Sequence, residues 1–387
     1  MKQYYYGRQS IDERDLQAVC EVLRSDFLSQ GPRLGEFEKK VAGYCGSAHC
    51  IATSNGTTAL HLAGLALGLE SGDAAWTSAL SFVASANALG HCGAQAGFVD
   101  IDPATFNLSI DDLAARLEEA AGRGTLPKVL VPVHFAGLSC DMKAIADLAG
   151  RYGVRILEDA CHALGGRYEG RPIGDCRYSD ITVFSLHPVK SITSGEGGLI
   201  LTRDAAMAER MRRLRSHGMV RGEDVTDKTI GPWHVEVLET GYNHKISELH
   251  CALGMSQFAR LDEFVARRRA LARRYRDRLA PVPAIRFQAV PDPDESAWHI
   301  LVAQFDFAAI GKSKREIYAA LDEHGIHLAV HYYPIPLQPA YRRQGFSSGM
   351  YPNAEAYHDA AFTLPLHPGL TEEDVDHICG CIREVVE

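Results

Sequence analysis

The sequence predicts an α/β protein: a mainly parallel, doubly wound sheet followed by a smaller C-terminal α+β unit. Three observations carry this. From Cys50 to Thr202, short apolar runs alternate with stretches of helical spacing, the pattern of βαβ units. Small and polar residues (the Asn55-Gly56-Thr57 turn, Asp159, Ser185) fall where those runs end, where open α/β sheets bind ligands. At 387 residues and 46% apolar content, the chain is long enough for one large core and a second, smaller one.

The expected strands are Cys50–Thr53, Ala75–Thr77, Ala96–Val99, Lys128–Val133, Arg155–Glu158, Ile181–Phe184 and Gly198–Thr202. Helical stretches lie between them at Thr57–Leu67, Val83–His91, Ile110–Ala121 and Met142–Tyr152. Ser10…Glu13 and Ser313…Glu316 fit capping boxes, and Thr371-Glu372-Glu373-Asp374 opens the last helix in the same style. A long helical run, about Ser247–Leu279, carries an Arg-rich face expected to be exposed and links the large domain, residues 1–250, to a unit spanning residues 251–387. The second unit shows strands near Ile285–Phe287, Trp298–Phe305 and His327–Val330, with helices at 313–324 and 371–387 and a connecting Pro291–Pro293 loop.

Composition narrows the function classes. Net charge is −9 and no Lys/Arg block carries interleaved aromatics, so nucleic acid is not the expected partner. Apolar runs such as Val129–Val133 are far too short to cross a bilayer, and the opening residues lack a signal-peptide core, so the expectation is a soluble, cytoplasmic protein. Of the ten cysteines, Cys20, Cys92 and Cys251 sit among apolar residues in helical stretches, as core thiols do. Cys379-Gly380-Cys381 is too little for structural zinc. His324, His327, His331 and His367 share no helical face, so no metal is expected.

The chemistry gathers around Lys190, in Phe184-Ser185-Leu186-His187-Pro188-Val189-Lys190. An Asp closing one strand (Asp159), then a Ser and a Lys just past the next, is the set that pyridoxal phosphate needs. The amine forms a Schiff base with the cofactor aldehyde, the carboxylate partners the pyridinium nitrogen, and the hydroxyl holds phosphate. Gly56 and Thr57 open a helix, whose free N–H groups and dipole favour an anion; a plain βα turn has the same look. Phe82 follows the next strand and could stack on a flat ring; a lone Phe is more often core, and its order among the other elements lifts it. His162 is within reach of a cofactor oxygen or is a structural histidine. Thr193-Ser194-Gly195-Glu196-Gly197-Gly198 precedes a strand and reads as a tight return behind the lysine. Asn243 either caps the long helix or donates to phosphate. No G-x-G-x-x-G opens a helix after a strand, which argues against a nicotinamide dehydrogenase.

In this order the stretches resemble those of fold-type-I pyridoxal-phosphate transferases, and within them the DegT-type nucleotide-sugar aminotransferases. The matching segments run nearly end to end, from Leu28-Ser29-Gln30-Gly31-Pro32 through Ser54-Asn55-Gly56-Thr57, Ser81-Phe82-Val83-Ala84, Glu158–Gly165 and Phe184–Lys190 to His331-Tyr332-Tyr333-Pro334 and Leu364-Pro365-Leu366-His367. The resemblance implies Lys190 and Asp159 as catalytic residues. It implies a cofactor site of Gly56, Thr57, Phe82, His162 and Ser185, with Asn243 arriving from the second subunit of a homodimer. Tyr6, Asp26, Phe27, Leu28, Ser29, His331, Tyr332, Tyr333 and Pro334 would line the sugar-nucleotide pocket. L-glutamate would be the amino donor and pyridoxamine phosphate the intermediate form of the cofactor.

The opening Tyr6-Gly7-Arg8-Gln9-Ser10-Ile11-Asp12, the run Arg215–Met219 and Gly231-Pro232-Trp233 resemble the pseudaminic-acid subgroup, which aminates C4 of a UDP-4-keto-6-deoxy-N-acetylhexosamine. The alternatives are another nucleotide ketosugar (legionaminic, bacillosamine, perosamine or aminoarabinose type) and a non-catalytic regulator that binds the cofactor. Four positions depart from the family pattern. Leu186 replaces an aromatic, His244-Lys245 replaces an aromatic and an Arg, and Cys161 stands at a small-residue position; Lys lacks the fork with which Arg grips a carboxylate.

Overall fold

The computed structural model describes residues 2–387. Seven strands form the main sheet: β1 (His49–Thr53), β2 (Ala74–Ser78), β3 (Gln95–Val99), β4 (Val129–Val131), β5 (Arg155–Asp159), β6 (Ile181–Ser185) and β7 (Gly198–Thr202), in the order β1-β7-β6-β5-β4-β2-β3. β7 runs antiparallel to both its neighbours, and the remaining pairs are parallel. β4, β6 and β7 are buried along their whole length, which is why they read as mostly apolar runs rather than strictly alternating ones.

Helices cover both faces of the sheet. On one, Val131, Leu157, Val183 and Ile200 pack against Leu60, Leu62, Leu89 and Met211. On the other, Leu130 and Ile156 meet Leu113, Leu117 and Ile145, while Phe184 and Leu199 meet Phe37, Cys251 and Phe264. A three-stranded antiparallel sheet, β8 (Ile285–Phe287), β9 (Leu301–Phe305) and β10 (Ala361–Leu364), lies toward the C-terminus. Its core joins Phe305 and Phe362 to Tyr275 and Leu279 of the long helix and to Ile378 and Ile382 of the last one.

Several expectations are corrected. The helical run Ser247–Leu279 is two helices, Glu248–Phe258 and Leu261–Leu279. Arg260 leaves helical geometry at the break (φ −112°, ψ 10°), and its guanidinium grips Asp12 and Asp15. The first helix, Glu13–Leu23, is capped by Asp12 with Asp15 closing the box, not by Ser10, whose carbonyl accepts from Gln257. The boxes at Ser313 and Thr371 form as expected. Trp298 has a positive φ (47°), so its strand begins only at Leu301. The strand expected at His327–Val330 is reduced to Ile326–His327, which pairs with Tyr4–Tyr5. β10 had no counterpart among the expected strands. Arg268, on the face expected to be exposed, is buried, and Cys20 is exposed. Among the described residues no helix is long and apolar enough to cross a membrane.

Candidate active site

The carboxyl ends of β1, β5 and β6 open on one cleft of about 920 Å³. After β1, Asn55 caps the helix Gly56–Ala66: its side chain accepts from Thr58 N (2.9 Å), and the Thr58 hydroxyl returns to the Asn55 backbone. Gly56 and Thr57 supply the next amides, which have no carbonyl one turn earlier to bond. Ser185, ending β6, stands beside them. A Cβ on Gly56 would lie 3.1 Å from Ser185 Cβ and 3.3 Å from its Oγ. Turn and hydroxyl therefore form one narrow cradle, with the chemistry of an anion site. It is closed from behind by Gly198, where a Cβ would strike the Asn55 carbonyl oxygen at 2.3 Å.

Asp159 ends β5 and is buried. Its carboxylate accepts from Ser85 Oγ (2.6 Å) and from the Cys161 amide (3.1 Å), and Ser85 is paired with Ser81 (2.7 Å). Charge-assisted bonds of this length are the strong ones, so the carboxylate is held in one orientation. Behind it, His134 Nδ1 accepts from the Cys140 amide (3.2 Å), which leaves the ring proton on Nε2, 2.7 Å from Glu158. Ser179 and Thr182 also donate to Glu158. This network fixes the strand next to the site.

Lys190 ends a loop pinned at its base by Leu186 N to Gly197 O (2.8 Å) and Ser194 N to Leu186 O (3.1 Å). Its Nζ lies 3.4 Å from His299 Nε2. Burial pushes the amine below the usual lysine range, with Cys161 and Asp159 opposing. His162 is buried, its Nε2 3.1 Å from the Tyr332 hydroxyl and its Nδ1 without a partner. Burial and the nearby Lys190 charge hold it well below the usual histidine range, so the ring is neutral. Phe82 is 54% exposed, on the cleft wall, with its ring centroid 5.8 Å from that of Tyr332.

The cleft thus gathers the Gly56-Thr57 turn, Phe82, Asp159, His162, Ser185 and Lys190, with Tyr6, His331 and Tyr332 also on its walls. It does not gather the rest. Asp26, Phe27, Leu28 and Ser29 lie exposed away from it; Tyr333 is exposed and Pro334 buried, and neither lines it. Asn243 is exposed and points its neighbours Tyr242 and His244, but not itself, into its own chain's cleft. Sequence reasoning missed Ser85 and His299. Ser85 had a signal, one helical turn after Ser81 beside a strand end; His299 follows Trp298 in a stretch with no pattern to mark it.

Residues 9–383 match the model of the DegT/DnrJ/EryC1/StrS aminotransferase family. The chain belongs to this family. It is 37% identical to the spore coat polysaccharide biosynthesis protein SpsC of Bacillus subtilis, over 99% of this chain and 97% of that protein. To the UDP-4-amino-4-deoxy-L-arabinose–oxoglutarate aminotransferase of Shewanella sediminis it is 34% identical, over 98% and 97%. Helicobacter pylori PseC, an aminotransferase of pseudaminic acid biosynthesis, superposes with a TM-score of 0.91 at 28% identity, covering 100% of this chain and 99% of that one. The PLP form of the sugar aminotransferase Spr1654 of Streptococcus pneumoniae superposes with a TM-score of 0.89 at 28% identity, covering 100% and 99%. This DegT-family protein is therefore a sugar aminotransferase of fold type I, and pyridoxal phosphate is its cofactor. The residues present fit that group: an anion cradle a Cβ would fill, a fixed carboxylate, a flat aromatic wall, an orphaned imidazole nitrogen and an amine share one cleft.

Proposed function

We propose that this aminotransferase carries an amino group from L-glutamate to C4 of a UDP-4-keto-6-deoxy-N-acetylhexosamine, as in pseudaminic acid biosynthesis, and works as a homodimer. The full-length likeness to PseC is the observation that carries the substrate reading. Pyridoxal phosphate supplies an electron sink that acidifies the carbon bearing the amino group. Gly56, Thr57 and Ser185 would hold its phosphate, and Asp159 would partner the ring nitrogen. Phe82 and His162 are the residues that would stack on the ring and meet its oxygen. Lys190 Nζ, whose hold on a proton is weakened by burial, would take the proton from the substrate carbon as general base. Tyr6, His331 and Tyr332 face the sugar.

The residues outside the cleft fit a second subunit. The exposure of Leu16, Leu23, Phe27 and Leu28, close together in sequence, supports an apolar surface that a partner covers, and in that reading Asp26–Ser29, Tyr333, Pro334 and Asn243 serve the partner's cleft. The division at residue 250 places the cofactor residues in one domain and leaves the sugar-facing His331 and Tyr332 in the other. Ten free thiols support a reducing, cytoplasmic setting.

The test is turnover of purified enzyme with L-glutamate against a panel of nucleotide ketosugars. Preferred use of the UDP-4-keto-6-deoxy-N-acetylhexosamine supports the reading; turnover confined to a UDP-4-ketopentose would favour the aminoarabinose-type reading that the Shewanella relative supports. Lys190→Ala, folded and able to bind cofactor, should lose turnover in either case.

A further inference from the structure

Lys190 and His299 are tied to one another twice, once through their side chains and once through their backbones. His299 is buried just ahead of β9; its amide donates to the Ala136 carbonyl (2.9 Å). Its own carbonyl accepts from Arg268 Nη1 (3.0 Å), and the same nitrogen reaches Leu366 O at 2.8 Å. Arg268 Nη2 lies 3.4 Å from the carbonyls of both Val189 and Lys190, at the outer limit of a hydrogen bond. One fully buried, planar fork thus sets the backbone of the lysine loop against that of His299. No carboxylate pairs with Arg268. Burial pushes its pKa down to about 10, which leaves it charged at neutral pH.

The rings and charges around His299 define its state. Its ring centroid is 4.4 Å from that of His162, and its Nδ1 is buried without a partner. Burial first, then the neighbouring Lys190 and Arg268 charges, hold it well below the usual histidine range. The acids on the lysine side are Asp159 and the Cys161 thiol. A neutral imidazole that accepts at Nε2 carries its proton on Nδ1.

We propose that His299 is a catalytic residue that accepts an N–H of the free Lys190 amine at Nε2 and thereby aims the nitrogen lone pair at the substrate carbon. This rests on the reading that Lys190 moves the proton. A neutral amine has two N–H groups and one lone pair on a flexible four-carbon stem. With one N–H committed to His299, the lone pair faces the cleft. As the substrate C–H breaks, its proton forms the third N–H of Lys190, and the electron sink that the bound cofactor would supply accounts for the electron pair; the return transfer breaks that N–H. His299 gains and loses no proton.

The experiment compares His299→Phe, which removes the acceptor, with His299→Gln, whose amide oxygen reaches the Nε2 position. In cofactor-free protein, the pH dependence of Lys190 acetylation by acetic anhydride, read by mass spectrometry, reports the amine pKa. An ammonium loses a hydrogen bond in His299→Phe, so its pKa should fall by about one unit or more, and His299→Gln should stay near wild type. With cofactor bound, a single turnover of α-deuterated glutamate should slow about 10–100-fold in His299→Phe with a raised isotope effect, while cofactor affinity stays within about threefold. An unmoved Lys190 pKa, or an unchanged isotope effect, in a folded His299→Phe protein overturns the proposal. If that variant does not fold, His299→Asn, too short to reach Nζ, takes its place. The acetylation measurement needs neither cofactor nor sugar. A failure of the aminotransfer reading, seen as turnover in Lys190→Ala, is therefore distinguishable from a failure here.

Discussion

Asp15→Ala tests how the N-terminal helix is held. Asp15 is 1% exposed. Its Oδ2 lies 2.5 Å from Arg260 Nη2 and 2.7 Å from Gln257 Nε2, and its Oδ1 accepts from Ser256 Oγ at 2.6 Å. Removing one partner of a buried ion pair costs ~3–5 kcal/mol, because the other charge stays buried. Arg260 keeps Asp12 at 2.8 Å, so the low end, ~3 kcal/mol, applies. At ~2.1 cal/mol/K per residue over 387 residues, the unfolding entropy is ~0.8 kcal/mol/K, so the melting temperature should fall by ~4 °C. Differential scanning calorimetry measures it. Asp15→Ala/Arg260→Met, which removes the stranded charge as well, should recover about half of the loss. A double variant no more stable than Asp15→Ala, or a single variant within about 1 °C of wild type, would refute the stranded-charge account.

Other expectations concern the cleft and its pH response. Gly56→Val puts a branched carbon against Ser185, where even a Cβ would sit 3.1 Å from Ser185 Cβ; cofactor affinity should fall about 10–100-fold by equilibrium titration, the cost of overpacking a tight site. Mixing inactive Asn243→Ala and Lys190→Ala proteins should restore activity if Asn243 serves the partner's cleft, since a hybrid dimer then has one complete site; no recovery with exchanged subunits would place Asn243 in its own. His61, His331 and His367 are pushed down to about 4, each by burial first. These groups bind protons more readily unfolded than folded, so their contribution to stability is intact above about pH 6.5 and declines as pH falls toward 4. Urea midpoints that stay flat across that window would contradict it.

Much of this fold is legible because β4, β6 and β7 are buried along their length and so are mostly apolar, with the buried Thr182, Ser185 and Thr202 the exceptions. The break at Arg260 was not, because Arg is a good helix former and only its ion pairs with Asp12 and Asp15, far away in sequence, pull it out of line. β10 follows directly on the helix Pro352–Ala360 with no turn residue to separate them. In the site, strand-end positions exposed Asp159 and Ser185, since topology alone sends them to the cleft. His299 lies 109 residues after Lys190, and only tertiary packing brings the two together. Asn243 and Asp26–Ser29 lie outside the cleft, and nothing in a single sequence marks them off from the residues that line it.

The pairing of Tyr4–Tyr5 with Ile326–His327, continued by Leu366 N donating to Tyr6 O, has a consequence for biosynthesis. Tyr6 stands on the cleft wall, yet its anchors are made more than 300 residues later in translation. A nascent chain can assemble the strands around Lys190 and Asp159 long before the cleft mouth closes. Tyr4–Tyr6 is translated early yet is among the last segments to find its place, so a bulky group just ahead of Tyr4 would burden the mouth of the cleft rather than the folding of the main sheet.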